Sequence, residues 1–245
     1  MNYILKVKNI EKSYGERKAV KGISFNVEDG EVLGFLGPNG AGKSTSINII
    51  STVVDFDKGD IFFKDKDIIK NKNFFKSNLG VVPQDIAVFS DLTAYNNVKF
   101  FCSLYGFRGK RLKENVEEAL KFVGLWERKN DLPTSFSGGM KRRLNIACAI
   151  AHKPKLLIMD EPTVGIDPQS RNNILETVKK LNENGTTIIY TSHYMEEVES
   201  VCNKIIIMDE GEIIEDGSKD FIKAKYNKEN LEEIFLCLTG KALRD

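Results

Sequence analysis

GPNGAGKST, residues 37–45, lies between the apolar run VLGFL (32–36) and the sequence SINIISTV (46–53). The first reads as a short strand that ends on glycine and the second as a helix, so the nine residues form a turn from one to the other. Gly37, Gly42, Lys43 and Ser44 fill the fixed positions of GxxxxGK[ST], which average composition would match by chance in roughly one chain of this length in a hundred. In such a loop Gly37, Gly40 and Gly42 let backbone N–H groups converge on phosphate oxygens, with Pro38, Asn39, Ala41 and Thr45 completing the cradle. Lys43 reaches the outer phosphates, and the Ser44 hydroxyl suits Mg²⁺.

Outward from that loop, more buried strands follow at 156–159, 186–191 and 204–208, separated by helical segments at 168–183 and 194–201. Buried strands alternating with helices imply an α/β fold, a mostly parallel sheet covered by helices on both faces. Upstream, residues 3–10 and 19–27 alternate apolar and polar side chains around YGERK, the pattern of an antiparallel β region. Between Gln84 and Ser137 no comparable buried strand occurs, while 93–105 and 111–122 read as helices. This is a helical insertion, spanning about 85–153.

Two further stretches carry chemistry. LLIMDEP (156–162) ends an apolar strand on adjacent carboxylates, which can divide the labour: Asp160 toward a metal ion, Glu161 toward an attacking water as general base. FSGGM (136–140) opens an amphipathic helix whose apolar face is Met140, Leu144, Ala147 and Ala151. Ser137 can cap it, and Gly138 and Gly139 leave the first turn open to close approach. A bare helix start is an anion site, so the chain carries one phosphate site more than a single P-loop needs.

GPNGAGKST, then FSGGM followed by KRR, then LLIMDEP, then a histidine after the next strand together resemble an ATP-binding cassette ATPase, in order from about Tyr14 to Gly217. The resemblance implies a P-loop NTPase of 1–222 with a C-terminal helical extension at 223–245. It implies Mg²⁺-dependent hydrolysis of ATP by two such domains dimerised head to tail. Ser137, Gly138 and Gly139 would then bind the γ-phosphate of ATP held by the partner, a second copy or a homologous ATPase subunit. In the same family Tyr14 would stack on adenine, Gln84 in VVPQD would meet Mg²⁺ and the attacking water, and His193 would contact the γ-phosphate. Asp167 in VGIDP would lie at the dimer seam, where it also suits the N-cap before Pro168. The common Leu-Ser-Gly-Gly-Gln is here Phe-Ser-Gly-Gly-Met, and Met140 cannot make a glutamine's polar contact. His152, in AHKPK, reads as a surface residue.

FSGGMKRRL and the tail LEEIFLCLTGKALRD resemble the ATPases of bacterial drug- and sodium-efflux systems, whose integral-membrane permease is a separate chain. The implied location is cytoplasmic, on the inner face of the cell membrane, attached through that permease. The Gln84 loop and the insertion would receive a permease helix. Most of Phe89, Tyr95, Phe100, Phe101, Tyr105 and Phe107 should form the insertion's own core, leaving one or two for docking. In the tail, Asn230 and Glu233 form a capping-box-like pair, Leu231, Ile234, Phe235 and Leu238 share a face, and Gly240 stops the helix.

Composition agrees. With 29% charged residues but a formal net charge of +1, the chain lacks the basic footprint of a nucleic-acid binder. Cys102, Cys148, Cys202 and Cys237 are far apart and read as reduced thiols. No apolar stretch approaches the roughly 18 residues of a membrane span, so any membrane role would run through a partner. The competing classes are a soluble cassette ATPase of translation, repair or cofactor assembly, and a nucleotide-responsive module that does not turn over. The single cassette and the lack of a long coiled-coil insertion weigh against the first; Lys43, Gln84, Asp160, Glu161 and His193 weigh against the second.

Overall fold

The computed structural model describes residues 2–240. β1 (Tyr3–Tyr14) and β2 (Arg17–Glu28) form the antiparallel hairpin, and β4 (Lys58–Phe63) with the two-residue β5 (Lys66–Asp67) extends it to a sheet of order β2-β1-β4-β5. The second sheet contains β3 (Val32–Leu36), β6 (Leu79–Val82), β7 (Leu156–Asp160), β8 (Thr187–Thr191), β9 (Lys204–Asp209) and β10 (Glu212–Ser218) in the order β10-β9-β3-β8-β7-β6. All pairings are parallel except that of β10 with β9. The helices are α1 (Lys43–Ile50), α2 (Lys72–Asn78), α3 (Ala94–Leu104), α4 (Gly109–Phe122), α5 (Gly138–Ile150), α6 (Pro168–Glu183), α7 (Met195–Val201), α8 (Lys219–Tyr226) and α9 (Leu231–Thr239).

Strict alternation along the buried strands divides the core into two layers. Leu157, Met159, Ile188, Tyr190, Ile205 and Ile207 face the layer under α3 to α7, while Leu156, Ile158, Ile189, Ile206 and Met208 face the layer shared with α1 and the hairpin sheet. Both faces are thus covered, as apolar strands without a polar face require. The register places Phe35 and Asp160 on either side of Thr191. The carboxyl ends of β3, β7 and β8 therefore share one edge, and the loops that leave it build the site.

The insertion is α3 and α4 packed on α5. Three of its aromatics stay exposed, Phe89, Phe100 and Tyr105, more than expected from sequence. Phe89 and Phe100 still touch edge to face, with centroids 5.1 Å apart. His152 corrects the sequence reading outright: it is 4% exposed. Its Nε2 lies 3.0 Å from the Leu79 carbonyl oxygen and its ring stacks on Tyr105 at 3.5 Å. Burial drives its pKa down to about 4, so it packs as a neutral aromatic.

In α9, Leu231, Ile234 and Phe235 are buried in the same core as the parallel sheet, with Leu238 packed against it. Asn230 caps the Glu232 N–H at 2.7 Å, but Glu233 pairs with Lys228 instead of closing a capping box. Gly240 ends the helix at φ +63; the rest of the tail, 241–245, lies outside the described residues. Cys102, Cys148 and Cys202 are buried and Cys237 is exposed, all as free thiols. Among the described residues no helix is long and apolar enough to cross a membrane.

Candidate functional site

The 37–45 loop folds as its glycines require. Gly40 and Gly42 have φ of +80 and +101, and a Cβ on Gly42 would stand 2.5 Å from the Ala19 carbonyl oxygen. A Cβ on Gly37 would stand 2.4 Å from that of Met208. The loop is therefore pressed against its surroundings. Lys43 folds back over it, donating to the Gly37 and Pro38 carbonyls at 2.6 and 3.0 Å. Burial lowers the lysine pKa, opposed by the charges of Glu161 and Asp160. The cleft beside it has a volume of about 340 Å³, lined by the loop, Tyr14, Arg17 and Glu161. Tyr14 is 52% exposed at its rim, with Lys12 Nζ over its ring at 5.6 Å.

Three loops meet at Glu161. The Gln84 side-chain amide, after β6, donates to its Oε2 at 2.9 Å. His193 Nε2, after β8, lies 2.5 Å from its Oε1. Thr191 supports the pair from the strand edge, accepting from the Glu161 N–H at 2.9 Å and donating to Asp160 Oδ1 at 2.6 Å. Burial raises the Asp160 pKa, with the Thr191 bond opposing it. Glu161 itself has φ +46, a left-handed conformation that costs a non-glycine residue on the order of 1–3 kcal/mol and clusters at functional sites.

Ser44, Gln84 and Asp160 supply hard oxygen donors, only one of them a carboxylate. Among the described residues no group of three or more His, Cys, Asp or Glu could hold a metal alone. That donor set fits Mg²⁺, which takes one or two carboxylates and completes its shell with phosphates and water.

The FSGGM stretch is placed differently. Ser137 caps α5 by accepting from the Met140 N–H at 3.3 Å, but Ser137, Gly138 and Gly139 do not line the Lys43 cleft. The two glycines also differ. A Cβ on Gly138 would make only an ordinary contact, 3.7 Å from Ile166, whereas one on Gly139 would lie 2.2 Å from Ser170 Oγ. Sequence reading treats both as open to an incoming ligand; Gly139 instead makes room for α6 of its own chain. Asp167 caps that helix, accepting from the Ser170 N–H at 2.9 Å.

Sequence reading missed Arg142, Thr191 and Glu197. Arg142 is buried and donates to the carbonyls of Pro83, at 2.7 Å, and Gln84, tying α5 to the glutamine loop. A charged residue in KRR, one turn into a helix, carries no local sign that it points inward. Thr191 could have been suspected from its position at the strand end beside Asp160.

A Lys-bearing glycine loop between a central parallel strand and a helix, with carboxylates at the tip of a nearby strand, defines the chain as a P-loop NTPase of the α/β class. Residues 20–164 match the ABC transporter family. The linearmycin resistance ATP-binding protein of Bacillus subtilis (strain 168) is 55% identical over 216 residues, covering 88% of this chain and 70% of its own length. The Nod factor export ATP-binding protein I of Paraburkholderia xenovorans (strain LB400) is 37% identical over 226 residues, covering 92% and 74%. An ATP-binding cassette solved as a dimer in a post-hydrolysis state with ADP and Pi matches with a TM-score of 0.78 at 28% identity, covering 87% of this chain and 98% of that one. This chain belongs to the ABC transporter family, as an ATP-binding subunit that hydrolyses ATP.

Proposed function

We propose that this subunit powers export through a separate integral-membrane permease, with two ATPase subunits closing head to tail on two Mg-ATP molecules. The observation that carries its chemical core is the convergence of Gln84 and His193 on the carboxylate of Glu161, beside the Lys43 cleft. Three sequence-distant loops bring an acceptor, an amide and an imidazole together, which supports a site for a γ-phosphate and its attacking water.

In this reading the backbone of 37–45 and Lys43 would hold the phosphates, Tyr14 would stack on adenine, and Ser44, Gln84 and Asp160 would hold Mg²⁺, which would supply charge neutralisation when bound. Glu161 accepts the proton of the water that attacks in line, and His193 steadies the transferring phosphoryl group. Ser137 and Gly138 face the nucleotide of the other subunit across the seam marked by Asp167.

The permease contact is a groove of about 780 Å³ between the insertion and the sheet edge, whose apolar lining includes Val53, Val81, Phe101, Leu104 and Tyr105. Val53, Val81, Leu104 and Tyr105 are exposed there, a surface suited to the apolar face of a helix. The groove adjoins Pro83, so an occupant would touch the loop that carries Gln84. The export direction rests on the drug-resistance and export relatives, and the place of work is the inner membrane face. Measuring the ATPase rate of Glu161→Gln beside ATP binding tests the chemical core: turnover within threefold of wild type removes Glu161 as general base.

A further inference from the structure

Behind the catalytic edge lies a second carboxylate that the mechanism above does not use. Glu197, in the first turn of α7, is 0% exposed. Its Oε2 accepts from three hydroxyls, Thr163 at 2.8 Å, Tyr190 at 2.8 Å and Ser192 at 2.7 Å. Arg171 Nε lies 2.8 Å from Oε1, and the same guanidinium covers the Tyr194 ring at 4.5 Å. Three hydroxyl donors converge on this one oxygen, and a buried polar group is kept by the partners that satisfy it.

The origin of the donors explains what the side chain holds. Side chains alternate at the end of β8: Thr191 points to Asp160 and Glu161, while Tyr190 and Ser192 on either side of it point to Glu197. Ser192 Oγ also accepts the Tyr194 N–H at 3.0 Å, so the backbone on both sides of His193 is pinned to this carboxylate. Thr163 brings in the loop that runs from Glu161 to Asp167, and Arg171 brings in α6, the helix that Asp167 caps. The residues flanking His193 and the residues leading to the dimer seam thus share one buried acceptor.

We propose that Glu197 is a positioning residue for ATP hydrolysis: held by Thr163, Tyr190 and Ser192, it fixes the 192–194 loop so that His193 Nε2 meets Glu161. It touches neither nucleotide nor water and acts through His193. The inference rests on the reading that His193 and Glu161 form the hydrolysis site.

The test uses the whole chain and the fact that it has two histidines, one at the site and one, His152, buried elsewhere. In Glu197→Ala the turnover number should fall about 10²-fold, the scale of a misplaced catalytic group, while the apparent affinity for ATP stays within about threefold, because the loss falls on the transition state. At fixed pH the NMR imidazole signal of His193 should move and that of His152 should stay. If Glu197→Ala does not fold, Ser192→Ala, which removes the hydroxyl next to His193, carries the same expectations at smaller amplitude. Turnover lost with the His193 signal unmoved, or turnover unchanged, overturns the positioning role. Wild-type turnover in His193→Ala would instead remove the histidine from the reaction, and with it the reading on which the role rests.

Discussion

α1 follows Gly42 and α5 opens on Gly138, and these two glycine-bearing starts are built for different ends. α1 begins after a loop whose glycines are locked by neighbouring carbonyls and whose lysine lies across it. α5 begins on a serine cap and a glycine whose Cβ would make only an ordinary contact, and runs on into Lys141, Arg142 and Arg143. Both offer unpaired N–H groups and the positive end of a helix dipole. Only the first has a lysine, the Ser44 hydroxyl and the Glu161 carboxylate within its own cleft. The lesson is that phosphate affinity at a helix start needs little, whereas chemistry on the phosphate needs charges brought in from other loops. The first start has the groups for chemistry gathered around it; the second fits the role of its complement.

The largest effect should come from the acceptor that only the first start possesses. Glu161→Gln should lower turnover on the order of 10² to 10⁴-fold while leaving ATP bound, and the ATP-bound dimer should then accumulate, as a sizing column run with ATP would show. Next in size, Lys43→Ala removes the cation from the first start, and equilibrium binding of a fluorescent ATP analogue should weaken about 10- to 100-fold, the range of a lost charge-assisted bond. Unchanged affinity would make the two starts equivalent.

A smaller effect separates the two glycines of the second start. Gly139→Ala should destabilise the fold by about 1–3 kcal/mol, the usual cost of overpacking, because its Cβ meets Ser170. Gly138→Ala should be neutral or slightly stabilising, since an alanine in a helix costs less than a glycine. Urea unfolding of both reads this directly. Adding Ser170→Gly to Gly139→Ala should return most of the loss; failure to do so would mean that Gly139 is not spent on its own chain.

Much of this was legible in the sequence because it is local. The P-loop, the caps at Ser137, Asp167 and Asn230 and the buried strands each show themselves within a few residues, through glycine spacing, a short polar side chain before a helix, or an unbroken apolar run. The short edge strand β6 and the half-exposed β10 did not, since four residues or a mixed pattern give no periodicity to read. His152 and Arg142 were hidden for a related reason. Polar residues read as surface until a tertiary partner appears, and theirs are the carbonyls of Leu79, Pro83 and Gln84, some 60 to 70 residues away in sequence. Glu197 likewise acquires its meaning only when Thr163, Tyr190 and Ser192 are brought around it. The convergence on Glu161 had to come from a family resemblance, because no spacing in the chain connects Gln84, Glu161 and His193.

The central claim is that the two starts complete each other across a dimer, and mixing two inactive variants tests it most directly. Lys43→Ala disables the first start. Gly138→Asp sets a negative charge at the open glycine of the second, and Gly138 tolerates a side chain within its own fold. In a head-to-tail pair of one of each, one composite site carries both defects and the other carries neither. An equal mixture should therefore recover ATP hydrolysis from roughly a quarter of its sites, given random pairing into two-fold dimers, although each variant alone is inactive. If titrating one variant into the other leaves hydrolysis at zero while heterodimers are shown to form, the second start does not serve the partner's nucleotide.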